Sequence, residues 1–304
     1  MLLETIRHEV LQNPSDFVAA CEADYNKKID DIATVLAANR KTRPIVLLSG
    51  PSGSGKTTTA HRLAHRLASL GIKMHIVSMD NYFRTFTEEE QMLFRDHRLD
   101  LESPDRMDKN LLTKHMEAIM RGETVTLPHF NFTTNVAEFG EETLRLSPNE
   151  MIILEGIHAL NPNVLGSTDR FTTRIYVSVR TRIEYVKQGI PTLLHPSMVR
   201  LARRMIRDRR ERGRTFSDVV ALYAGVENGE KLYIMPYKHR ADLDIDTFIP
   251  YELCAYRDSL PSAMPNEQET YPWLCDLFDV LNSLPSLDTA ILPSDALIRE
   301  FVGK

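Results

Sequence analysis

The chain has 304 residues, 42% of them hydrophobic and 26% charged, with a formal net charge of −5. That length holds one large α/β domain with extensions, and the acidic balance argues against a general nucleic-acid binder. Cys21, Cys254 and Cys275 are too scattered for a disulfide framework or a zinc site, and no apolar run approaches the roughly 20 residues that span a bilayer.

In chain order, the first residues lack the charged start and apolar core of a signal peptide, so a cytoplasmic protein is expected. Apolar residues then recur at helical spacing from Phe17 to Leu36, behind a helix start at Pro14-Ser15-Asp16. Arg40–Pro44 breaks the pattern. Ile45–Ser49 is short and apolar on both faces, as a central parallel strand requires. A glycine-rich loop and a helix over about 56–70 follow, then a strand over 74–79 that ends at Asp80. Residues 88–97 and 108–121 read as helices, 124–127 as a short strand, and 138–146 as a small hairpin around Gly140. Further buried strands are expected over 151–154, 174–179 and 243–248, with helices over about 182–188, 197–212 and 215–230. Strands alternating with helices predict a parallel sheet covered on both faces. From Tyr251, prolines punctuate short helical stretches such as 273–281. The expected organisation is a helical extension over 1–42, an α/β domain over 43–250 and a helical appendix over 251–304.

Gly50-Pro-Ser-Gly-Ser-Gly-Lys56-Thr57 matches G-x-x-x-x-G-K-[ST], with a buried strand before it and an amphipathic helix after it. Glycines let such a loop turn its N–H groups onto phosphate oxygens, and the following helix adds the positive end of its dipole. Gly50, Ser52, Gly53, Ser54, Gly55, Lys56, Thr57 and Thr58 are therefore expected to hold ATP. Lys56 reaches its outer phosphates and the Thr57 hydroxyl ligates Mg²⁺.

Three further features bear on the chemistry. Asp80 directly follows the second strand, at the sheet edge where ligands bind. A carboxylate there suits a base that takes the proton of a hydroxyl attacking phosphorus, or simply a helix cap. Tyr82 and Phe83 beside it offer apolar walls for a flat substrate. Glu155 ends the 151–154 strand, where an acid contacts Mg²⁺ directly or through water. His158 and Asn161 follow on the same connection as neighbours. Finally, residues 200–214 hold eight arginines in fifteen positions. Met198, Leu201, Ala202, Met205 and Ile206 form the apolar stripe of that helix. Its arginines read as a lid over a triphosphate, as a solvated basic face, or as a nucleic-acid patch.

Together, GPSGSGKTTTA (50–60), SMDNYF (78–83), ESPDRMD (102–108), LPHFNF (127–132), ILEGIHALNP (153–162) and RRMIRDRRERGR (203–214) resemble the phosphoribulokinase/uridine kinase family, and within it the uridine kinase-like nucleoside kinases. The resemblance covers roughly 43–250. It implies a P-loop NTPase fold with an arginine-rich lid over about 197–214, and transfer of the ATP γ-phosphate to a hydroxyl of a small molecule, foremost the 5′-hydroxyl of a nucleoside such as uridine or cytidine, with Mg²⁺. Carried over position by position, it makes Asp80 the catalytic base, with Lys56, Thr57 and Glu155 around Mg-ATP. Glu102 falls where an acid holds ribose hydroxyls. Arg204, Arg207 and Arg212 fall on lid positions that engage phosphates, and Arg207 approaches the nucleoside. The chain departs from the pyrimidine kinases at Phe130, where a Tyr is usual, around Asn135, where a His is common, and near Leu222, where a Gln stands. Other small alcohols therefore remain alternatives, including sugar phosphates gripped by Arg95, His97 and Arg98, pantothenate or glycerate. A silent nucleotide-binding regulator is a further alternative. The expected partner is a small molecule, with neither nucleic acid nor membrane, and the sequence is compatible with a homo-oligomer.

Overall fold

In a computed structural model describing residues 1–96, 98–165 and 171–303, two helices precede the sheet, α1 (Leu3–Gln12) and α2 (Pro14–Asn39). The Asn13 side chain accepts from the Asp16 N–H and caps α2. Then come β1 (Ile45–Ser49), α3 (Lys56–Ser69), β2 (Met74–Ser78), α4 (Glu88–Arg95), α5 (Lys109–Met120), β3 (Val125–Asn131) and β4 (Val136–Leu144). β5 (Met151–Glu155), α6 (Pro162–Leu165), β6 (Thr172–Ser178), β7 (Ile183–Lys187) and β8 (Ile190–Leu194) follow. The two long helices α7 (Pro196–Arg212) and α8 (Phe216–Gly229) lead to β9 (Leu243–Asp246) and α9 (Glu252–Tyr256). α10 (Pro265–Thr270), α11 (Leu274–Ser283) and α12 (Arg299–Val302) complete the order. His97, considered above for a phosphorylated acceptor, lies outside the described residues.

The main sheet runs β2-β5-β1-β6-β9, all parallel, as the alternating pattern predicts. Every residue of β1 and β5 is buried, because helices cover both faces. Successive side chains point to opposite faces. Val46 and Leu48 share a core with Leu36 of α2 and Leu63 of α3, while Ile45 and Leu47 share another with Leu112 and Met116 of α5. The helices flanking the 43–250 region join the first of these cores through residues such as Ile6, Leu277 and Phe301.

Two expectations are corrected. Residues 182–188 do not form a helix: β7 and β8 make an antiparallel hairpin. Ile183 and Tyr185 are buried and alternate with exposed Glu184 and Val186, a period of two. Gln188 and Gly189 supply the positive φ values (50° and 81°) of a tight reversal. Nor does a hairpin turn at Gly140. β3 and β4 pair with each other and reverse between Asn131 and Val136, where Asn131 Oδ1 accepts from the N–H groups of Thr133 and Thr134. Gly140 sits inside β4.

Candidate active site

The parallel register lines up the site. Glu155 pairs with Leu48 of β1 and with Ser78 of β2. The acid therefore stands two residues short of Gly50, where the phosphate loop starts, on one side and two residues short of Asp80 on the other. A Cβ on Gly50 would stand 1.9 Å from the Val177 carbonyl oxygen, so no larger residue fits. Gly53 and Gly55 hold φ of 76° and 81°, which turns the backbone so that α3 begins at Lys56. Lys56 Nζ donates to the Pro51 carbonyl at 3.2 Å, folded over its own loop.

Asp80, Glu155, Lys56 and Thr57 line one cavity of about 1220 Å³, room for a nucleotide and a second small molecule. Burial, reinforced by the Asp80 carboxylate and opposed by Lys56 and the Ser78 hydroxyl, raises the Glu155 carboxyl to about 7. Glu102 faces the same space. Burial raises its pKa too, with Arg204 and Lys56 opposing and Asp80 and Asp100 adding. Three acids thus face a small set of cations across one volume.

The arginine helix is not a solvated face. Arg203 is fully buried: Nε and Nη2 donate to Glu252 at 2.6 and 2.9 Å, Nη2 to the Thr247 carbonyl, and Nη1 to the Gly53 carbonyl at 3.1 Å. Arg200 pairs with Glu230 at 2.6 Å and donates to the Ser52 carbonyl. These two brace the phosphate loop from behind. Arg204, Arg207 and Arg212 line the cavity, gathered by the wholly buried Asp208. Burial pushes the Asp208 carboxyl up, but the surrounding arginines outweigh it and hold it below its usual range. Arg204 donates to the Ser52 hydroxyl, while its Nε is buried with no partner among the described residues. Burial and the neighbouring Arg207 and Arg212, against Asp208, pull the Arg204 guanidinium down to about 10. A cluster whose charges repel and which holds a buried unfilled donor suits an anion.

Part of the cavity wall is aromatic. Phe83 and Phe130 meet edge to face at 5.7 Å, and Phe130 and Phe132 at 5.1 Å. Asn135 lines the same space in a left-handed conformation (φ 58°), with its carbonyl accepting from the Phe86 N–H. Leu222 also lines the cavity. Tyr82 is a correction: it is buried away from the cavity, edge to face with His115 and hydrogen-bonded to it at 3.1 Å. Gly50 and Ser54 are buried and do not line the cavity, nor do Arg95 and Arg98.

Four contributors escaped the sequence reading: Asp208, Glu230, Glu252 and Glu300. Only Asp208 carried a signal, being an acid four residues from both Arg204 and Arg212 on one helix. The described residues contain no group of three or more His, Cys, Asp or Glu side chains that could hold a metal. Mg²⁺ does not need one. It keeps one or two protein oxygens and fills its shell from phosphates and water, for which the Thr57 hydroxyl and Glu155 are suitable donors. No helix among the described residues is long and apolar enough to cross a membrane.

The Phosphoribulokinase / Uridine kinase family model matches residues 45–189 and 192–251. A uridine kinase of Lactobacillus helveticus is 29% identical over 208 residues, covering 66% of this chain and 85% of its own. A uridine kinase of Borrelia duttonii is 30% identical over 203 residues, with 66% and 85% covered. Among solved structures, one described as a candidate fructose transport system kinase of Silicibacter sp. TM1040 is 20% identical. It matches 75% of this chain and 98% of that one at a TM-score of 0.50, a likeness of fold.

Proposed function

The chain belongs to the phosphoribulokinase/uridine kinase family, and on that premise we propose that it transfers the γ-phosphate of ATP to the 5′-hydroxyl of a nucleoside. At the coarser level it is an ATP-dependent P-loop kinase of a small molecule. The observation that carries the finer reading is the single cavity that joins the phosphate loop, Asp80 and an aromatic wall.

In this reading the loop from Ser52 to Thr58 would hold the phosphates of ATP, and Thr57 with Glu155 would hold Mg²⁺, which when bound would supply positive charge beside the phosphate oxygens. Asp80 takes the proton from the acceptor hydroxyl. Lys56 and the arginines Arg204, Arg207 and Arg212 balance the phosphate charge and keep water from the reacting atoms. Glu102 accepts hydrogen bonds from the sugar hydroxyls. Phe83 and Phe130 stack on or flank the base, which suits a flat, weakly polar face. With Leu222 in the same lining, the wall offers few hydrogen bonds to read base identity, so discrimination rests on shape.

The test is ADP release measured across nucleosides and other small alcohols, against ATP hydrolysis without acceptor. A nucleoside raises the rate well above that background, and Asp80→Asn lowers it about 10²- to 10⁴-fold while ATP still binds. Stimulation by non-nucleoside alcohols alone would discard the nucleoside assignment. Undiminished turnover by Asp80→Asn would discard the base.

A further inference from the structure

Residues 292–303 return to the phosphate loop and set a carboxylate on it. Leu297 lies 3.1 Å from where a Cβ on Gly55 would stand. Phe301 is fully buried under the Arg203 guanidinium, 5.1 Å from its ring centre. Arg210 donates to the carbonyls of Phe301 (2.6 Å) and Glu300 (3.1 Å). So anchored, Glu300 Oε2 accepts from both the Thr58 N–H (3.2 Å) and the Thr58 hydroxyl (2.6 Å).

Thr58 is the third residue of α3, and its N–H is one of the donors a helix leaves unsatisfied at its start. In a loop of this kind, those first-turn N–H groups are the ones that receive phosphate oxygens. Glu300 lines the same cavity as Lys56 and Thr57, so the contact faces the space a nucleotide needs. One donor pair cannot serve a carboxylate and a phosphate together, and two anions at that distance repel. The backbone around Glu300 is pinned, so yielding the position requires only rotation of its side chain.

We propose that Glu300 is a donor-site residue that occupies the start of α3 until a polyphosphate displaces it, making the 292–303 segment a built-in competitor for the nucleotide's phosphates. This rests on the phosphate loop binding ATP, and the experiment separates the two claims. Mg-ATP and inorganic tripolyphosphate are titrated by calorimetry into the wild-type protein and Glu300→Gln. The glutamine keeps the size and a hydrogen bond to Thr58 but removes the charge. Both ligands bind Glu300→Gln about tenfold more tightly. Glu300→Asp, too short to reach Thr58 from the same backbone, shifts affinity in the same direction by less. Equal or weaker binding to the variants overturns the competitor and leaves the ATP site standing. Failure of every protein to bind either ligand overturns both.

Discussion

The ion pair between Arg203 and Glu252 has two separable jobs, and a double-mutant cycle can pull them apart. Both side chains are completely buried. Burial works against the Arg203 charge, yet Glu252 outweighs it and holds the guanidinium above its ordinary range. Glu252 also accepts from the Ile249 N–H at 3.0 Å and the Tyr256 hydroxyl at 3.2 Å. Glu252→Ala removes the counter-charge and strands a buried guanidinium, which costs about 3–5 kcal/mol. For a domain of this size that is a fall in Tm of roughly 10 °C. Replacing both partners by apolar residues of similar shape, Arg203→Met with Glu252→Leu, strands no charge, and recovers all but about 1–2 kcal/mol in urea melts. Nucleotide affinity does not recover, because Arg203 alone of the pair reaches the Gly53 carbonyl. A Glu252→Ala cost below about 1 kcal/mol, or a double variant no more stable than the single ones, would refute this account.

Two other predictions concern residues packed around Glu102. A Cβ on Gly229 would stand 2.3 Å from Glu102 Cβ, so Gly229→Ala pushes the Glu102 carboxylate aside. Acceptor KM then rises about tenfold or more with ATP affinity unchanged, which steady-state kinetics in each substrate reads directly. The second concerns acid. Burial drives the His158 imidazole from 6.5 down to about 4, the Glu102 backbone offsetting only part. Below pH 6.5 the unfolded chain takes a proton that the native ring refuses, so this group's contribution is intact above 6.5 and is lost as pH falls towards 4. The loss is about 3 kcal/mol relative to a His158→Phe variant, measured as the difference in urea stability between pH 7 and pH 4. A difference independent of pH would show that the ring titrates normally.

The sheet was legible because its central strands are unbroken apolar runs, and a glycine loop of fixed spacing marked which strand is central. Asp80 and Glu155 were legible for a related reason: in a parallel sheet, the residues that end strands share one edge. Tyr82 was misplaced because adjacency to Asp80 in sequence says nothing about which way a ring points within a single helical turn, Met79–Tyr82. The 183–194 hairpin was missed because five residues per strand are too few for a period of two to stand out. Eight arginines between 200 and 214, seven of them on α7, suggested a lid, but no local pattern could tell which would be spent on Glu230 and Glu252 and which would face the cavity.

Thr58 and Glu300 are separated by 242 positions in the chain. Arg62 of the same helix α3 donates both to Glu22, upstream of the sheet, and to the Asp295 carbonyl, beyond it. During synthesis, the helix that carries the phosphate loop therefore emerges long before residues that complete its surroundings. Closing loops of that length is slow, and until they close, Leu63 and Leu67 of α3 share a core with segments not yet made, such as Leu277 and Phe301. The helix that carries the phosphate loop therefore reaches its final packing only after the late residues dock, so a nascent chain halted before residue 292 holds α3 with part of that packing missing.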